Sequence, residues 1–222
     1  MKPERLAPGL WRWSARHPEW HPGEFGAEVG SFALEAGGDL LLIDPLLPRT
    51  DKRSVLEVLD ALAGERDVHV VITIGYHVRS AEELCKRYGA RIYGPPTCAS
   101  RLDDEALLSE LEPGEPGPAG ATALPIGRPR RSERPLWLPS HAALAFGDSI
   151  VTTPAGELRV WIQDPIDGKR RRWYRERFVP SLDPLLELPA ERILVTHGDP
   201  VPSDGAGALR RAVAADPWQH RG

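Results

Sequence analysis

The chain of 222 residues is 41% hydrophobic and 27% charged, the balance of a globular protein long enough to bury a core without staples. Its 28 basic and 32 acidic side chains leave a net charge of -4, so no global field draws it to nucleic acid. No apolar run is long enough to span a bilayer, and the opening "MKPERLAPGL" has no apolar signal-peptide core. Its two cysteines, Cys85 and Cys98, form no CxxC; together these features predict a cytoplasmic protein with buried free thiols.

In chain order, "RWSARHPEWHPGEFG" comes first. It sets His17, Trp20 and His21 between prolines, with Trp11 and Trp13 nearby, and reads as a rigid aromatic loop forming a wall or lid over a cleft. Val29 to Glu35 and Leu40 to Ile43 then read as two strands joined by a Gly37-Gly38 turn, the second buried on both faces and ended by Asp44-Pro45. Val55, Leu56, Leu59 and Leu62 repeat at helical spacing. "DVHVVITI" is the next buried strand. "SAEELCKRYG" is a helix with Ser80 as N-cap, Glu83 completing a capping box and Gly89 at the C-terminal end. "ARIYGPP" closes a half that reads ββ-α-β-α-β.

The Pro/Gly-rich stretch 112–120 is the seam between two halves of a single domain covering residues 1–222, since neither half looks self-sufficient. "ATALPI", "RPLWLP", "ALAFGDSIV" and "LRVWI" read as strands, and "VPSLDPLLEL" as a short helix interrupted at Pro184. "ERILVTHGDPV" is a buried strand ending at His197, and "DGAGALRRAVAAD" a final helix. "GKRRRWYRER" is the strong charge run. Trp173 and Tyr174 interleave with its basic residues as in single-strand nucleic-acid binders, but Glu176, the Asp164/Asp167 pair and the negative net charge favour a solvated face or an anion-binding rim beside a cleft. His141 and His69 read as structural, and His220 as part of a frayed tail.

Four segments in this order resemble the metallo-β-lactamase fold superfamily: "GSFALEAGGDLLLIDPLLP", "VVITIGYHVRSAEELCKRYGARIYGPP", "LWLPSHAALAFGD" and "ILVTHGDPV". The resemblance spans about Leu10 to Val201 and implies an α/β (α+β) fold, a four-layer αββα sandwich, with the site at strand ends between the two sheets. That superfamily carries H-x-H-x-D-H after this strand, because zinc needs imidazoles and carboxylates converging at about 2 Å. Here the motif is missing. Anchored on Thr73, its ligand positions fall on Ile74, Tyr76, Val78 and Arg79; anchored on the following helix, on Ile72, Ile74, Tyr76 and His77. The turn that usually holds a middle histidine looks like "LPIGR", without one. The resemblance therefore leaves His77, Asp148 and His197 as the catalytic and metal-ligating set at best, with Trp20, His21, Asp44, Tyr76 and Arg79 lining the cleft.

Two functions follow. One is a hydrolase of an ester, thioester or similar small molecule, using one weakly held divalent metal (zinc, manganese or iron) to activate water. The other is a metal-free, non-catalytic protein in which the aromatic loop and Arg79, with the N–H groups of Ser80 and Ala81, hold a small anionic ligand. Neither involves nucleic acid or a membrane. No nucleophile elbow, P-loop or dinucleotide-binding fingerprint supports a further enzyme class.

Overall fold

The structure is a computed structural model that describes residues 2–22, 25–162 and 167–220. Residues 23 and 24 of the aromatic loop, and Asp164 of the acidic pair, lie outside the described residues.

One sheet runs in strand order β1 to β7: Glu4–Ala7, Leu10–Arg16, Glu28–Ala36, Asp39–Ile43, Asp67–Val71, Arg91–Gly94 and Leu108–Glu110. The first four strands pair antiparallel and the rest parallel. Parallel pairing requires crossovers; helices α1 (Lys52–Ala63) and α2 (Ala81–Tyr88) supply the first two, and the 3-10 turns Pro96–Arg101 and Glu105–Leu107 the third. A second sheet has the order β13-β10-β9-β8, from Arg192–Val195, Ala143–Phe146, Leu136–Leu138 and Thr122–Ala123. A hairpin of β11 (Ile150–Thr152) and β12 (Leu158–Val160) stands beside it. The outer helices of this half are α3 (Gly168–Trp173), α4 (Asp183–Leu186) and α5 (Gly205–Ala214).

The strand period of two sorts the apolar residues into three core layers, which makes the four-layer sandwich. Leu40 and Leu42 of β4 face outward to Val55 and Leu59 of α1 and Leu84 of α2. Leu41 and Ile43 face inward, meeting Leu136, Ala143, Ala145 and Leu194 of the second sheet. Leu144, Phe146, Ile193 and Val195 face the other side, under Leu182, Leu185, Leu209 and Ala212. Each large apolar side chain buried this way contributes roughly 1.5–3 kcal/mol.

The sequence reading needs four corrections. Residues 12–16 are not loop: they belong to β2, whose Trp13 is buried and donates through Nε1 to the Leu46 carbonyl at 2.8 Å. The strand expected to run to Ile74 stops at Val71, because the Thr73 N–H turns to the Asp44 carboxylate at 2.8 Å. The capping box does not form: the Ser80 hydroxyl accepts from Leu47 N at 2.9 Å, and Glu83 pairs with Lys52 at 2.7 Å. His220 is packed against Phe25, with ring centroids 5.6 Å apart, and is no frayed end. Gly89 does end α2 in the left-handed region, and Cys85 and Cys98 are buried free thiols that burial pushes up to about 12.

Candidate functional site

Four loops meet where the two sheets open. Asp44 follows β4, His77 follows β5, Asp148 sits in the turn between β10 and β11, and His197 follows β13. The structure thus brings together the three residues the resemblance singled out and adds Asp44 to them.

Asp44 is the anchor, 2% exposed and at φ 45°, a left-handed conformation that a short acidic side chain tolerates better than most. Its Oδ1 accepts from Thr73 N at 2.8 Å, and its Oδ2 accepts from Thr73 Oγ1 at 2.5 Å and faces His77 Nδ1 at 2.9 Å. Its carbonyl accepts from Ser31 Oγ at 2.9 Å and Arg79 Nη1 at 3.3 Å. Arg79 is also left-handed, at φ 41°. Two non-glycine residues held in this region at one site store backbone strain that the surrounding hydrogen bonds must hold in place.

His77, 3% exposed, is reached through a 3-10 turn, Gly75–His77, and not through an extended ligand loop. Neither register of the missing motif describes it alone: Thr73 keeps the anchoring contact with Asp44, while the tight turn swings His77 into the cleft. Its Nε2 lies 3.3 Å from Asp148 Oδ1, and His197 Nε2 lies 3.6 Å from the same oxygen. The cluster is a chain: Asp44, His77, Asp148, His197.

Electrostatics follow from that order. Burial and the Arg79 charge push the His77 imidazole down, but Asp44 and Asp148 outweigh them and hold it above the usual histidine range. Burial pushes Asp148 up, and the neighbouring His77, His197 and Arg130 reverse this, leaving its carboxyl well below the usual carboxylate range. Burial pushes His197 down to about 4. Burial also lowers the Arg79 guanidinium. Asp148 Oδ1, His197 Nδ1 and Arg79 Nε are buried without a hydrogen-bond partner among the described residues.

Whether these residues fit a metal ion turns on their lone pairs. A metal needs neutral imidazole nitrogens aimed at one common point. His77 has a carboxylate at each nitrogen, which favours the protonated ring, and a protonated ring has no lone pair to give. Both Nε2 atoms face the Asp148 oxygen itself. The positions where the superfamily pattern places imidazoles hold Ile74, which is buried, and Tyr76, which is 62% exposed. Among the described residues no group of three or more His, Cys, Asp or Glu is arranged to hold a metal. The donor set, as arranged, does not fit.

Four contributors were not singled out by sequence reasoning. Glu133, fully buried, accepts from Gly147 N at 3.0 Å, Asp148 N at 3.2 Å, Ser149 N at 2.8 Å and Ser149 Oγ at 2.6 Å, so it clamps the turn that carries Asp148. No local motif marks it. Phe25 and Trp161 cover His197, with ring centroids 5.3 and 5.6 Å away. Arg130 lies over the Trp161 ring at 5.2 Å. Trp20 lies under the Arg16 guanidinium at 4.9 Å, and His21 is exposed.

A cavity borders the loop that leads to His77. It measures about 640 Å3 and joins Ile74 and Tyr76 of the loop to Arg130, Lys169, Arg170 and Trp173. The basic run of the sequence therefore forms a cavity wall through α3.

Solved structures share this architecture. A metallo-β-lactamase from Erythrobacter litoralis is 15% identical with a TM-score of 0.65, over 96% of this chain and 94% of its own. A metallo-β-lactamase family protein from Thermus thermophilus is 17% identical with a TM-score of 0.60, over 95% of this chain and 78% of its own. The DIM-1 metallo-β-lactamase is 11% identical with a TM-score of 0.61, over 96% and 95%. No protein-family model matches the chain, and no curated protein matches its sequence. At these identities the likeness is one of architecture: the chain has the metallo-β-lactamase fold.

Proposed function

We propose that this chain is a metal-independent binding protein for a small anionic molecule, built on a fold that usually serves hydrolysis. One observation carries the reading. The large hydrophobic residues exposed among the described residues are Tyr76, at 62%, and Trp173, at 38%, and both border the same cavity. Exposed aromatics concentrated on one concavity of small-molecule size mark a binding site far better than scattered ones do. Among its described lining residues Arg130, Lys169 and Arg170 stand against one carboxylate, Asp167, which supports an anion as the ligand. Arg79, held on the Asp44 carbonyl, is not among its described lining residues. Trp20 and His21 belong to the loop whose Phe25 closes over His197, and neither is among the described lining residues of this cavity.

The rival reading, a mononuclear hydrolase of an ester or thioester, asks His77, Asp148 and His197 to share one divalent metal. It is the weaker one because both nitrogens of His77 face carboxylate oxygens, Asp44 Oδ2 at 2.9 Å and Asp148 Oδ1 at 3.3 Å. A thermal-shift series tests both. Citrate and inorganic phosphate should raise the melting temperature of the wild type and do so less for Arg130→Gln. Zinc and manganese should leave it within about a degree of the chelator-treated protein. A metal-dependent shift of many degrees, with ester hydrolysis that the chelator abolishes, would establish the hydrolase instead.

A further inference from the structure

The cavity also indicates what kind of anion it takes; the argument rests on the reading of that cavity as an anion site. We infer that the ligand is a flat aromatic ring carrying a doubly charged head, in the chemical class of aryl and nucleoside monophosphates.

The ring is argued from how the two exposed aromatics are held. Trp173 packs edge-on against Tyr174 at 5.5 Å, and Tyr174 is buried and packs in turn on Phe178 at 5.4 Å in the core. Tyr76 has the Arg101 guanidinium over its ring at 4.3 Å. Both side chains are thus braced by neighbours while much of each ring stays in water. Bracing lowers the ordering entropy that a stacking partner would otherwise cost, and the exposed π-face is what a planar ring recognises. A cavity meant for an inorganic anion would have no use for two such surfaces.

The head is argued from charge. Among the described lining residues, Arg130, Lys169 and Arg170 offer three cationic donor groups beside the carboxylate of Asp167. Asp167 is also occupied, accepting from the Arg170 N–H at 2.6 Å. Lys169 has no ion-pair partner among the described residues, and Arg130 is fixed over Trp161. A phosphate monoester near pH 7 carries between one and a half and two negative charges and three acceptor oxygens, which matches this lining better than a single carboxylate does.

Isothermal titration of the full chain decides it, with 1-naphthyl phosphate and AMP as the two sources of the chemistry. Inorganic phosphate, 1-naphthol and 1-naphthoate serve as the separated parts. At least one monophosphate should bind tenfold or more tightly than phosphate, than 1-naphthol and than 1-naphthoate. Trp173→Ala should reduce its affinity to that of phosphate, and Trp173→Leu should behave alike with an unchanged circular dichroism spectrum. Lys169→Gln should weaken it several-fold. Phosphate or citrate binding as tightly as either monophosphate would overturn the ring requirement while leaving the anion site standing. Failure of every anion to bind would remove the anion site itself. A thymidine oligonucleotide binding more tightly than any monomer would assign the surface to single-stranded nucleic acid and overturn the proposal.

Discussion

Glu133→Gln exchanges one carboxylate oxygen for an amide at constant shape, at a site where every acceptor position is used. Oε1 accepts from Gly147 N and Ser149 Oγ, and Oε2 from Asp148 N and Ser149 N. The amide NH2 would settle toward Oε1's partners, because the Ser149 hydroxyl can rotate to accept while a backbone N–H cannot. Gly147 N is then stranded in a buried place, at about 1–3 kcal/mol. The two remaining bonds lose their charge assistance, at about 1 kcal/mol each. The sum is about 3–5 kcal/mol, against a total stability of about 5–15 kcal/mol for a typical domain. For a chain of this size that is a fall in melting temperature on the order of 10 °C. Urea denaturation followed by far-UV circular dichroism at pH 7.5 measures it, with an unchanged slope showing that the native and denatured states keep their compactness. A loss below about 1 kcal/mol would refute the claim that Glu133 clamps the turn of Asp148.

Acid behaviour provides a second check. His197 has a folded pKa of about 4 against an ordinary 6.5, so the unfolded chain takes up its proton first and stability falls as pH drops from 6.5 toward 4, by up to roughly 3 kcal/mol. Glu133, pushed up to about 6, works in the opposite sense between 6 and 4.5, so the His197 share should be read as the difference between wild type and His197→Gln across that window; parallel curves for the two proteins would contradict it. Asp148 adds stability above an unfolded pKa near 3.9 that disappears at lower pH, so Asp148→Asn should flatten the most acidic part of the denaturation profile. Elemental analysis of protein purified without chelator or histidine tag should find clearly less than one zinc per chain, and two tightly held ions would reject the reading of the cluster. Gly198, at φ 84°, has a Cβ position 2.8 Å from the Thr152 Cβ and in collision with its carbonyl, so Gly198→Ala should cost more than about 4 kcal/mol or prevent folding; a soluble variant of wild-type stability in urea would show the turn to be otherwise built.

Much of the architecture was legible in the chain because local pattern and global fold agree there. The run Leu40 to Ile43 announced a strand covered on both faces, and the alternation of its side chains between two core layers follows from the period of two alone. Gly37 and Gly89 marked a turn and a helix end through the conformations they permit. The order of Asp44, the loop of His77, the Gly147-Asp148 turn and His197 was enough to bring out the fold, and the four residues do meet at strand ends. The strand β2 could have been read from Leu10, Trp13 and Ala15, the buried positions of its segment, but the arginines and prolines around them concealed the pattern.

Only the tertiary structure decided what those residues do to one another. Whether His77 is a ligand or the middle of a carboxylate chain depends on which atoms approach its two nitrogens, and Asp44 and Asp148 lie 33 and 71 positions away in the chain. The hydroxyl of Ser80 looks like a helix cap in sequence, yet a nearby loop N–H takes it. Glu133 carries no signal in "RRSERPLWLP" because its role consists of receiving three N–H groups and a hydroxyl from a turn formed by other strands. The basic run 168–177 reads in sequence as a solvated face or as a rim beside a cleft, and only the packing of α3 beside the loop of Tyr76 makes it the wall of a cavity. Spacing along a chain fixes which side chains share a face, but a charge or hydrogen bond depends on distance through space, and that is set by the packing of the layers.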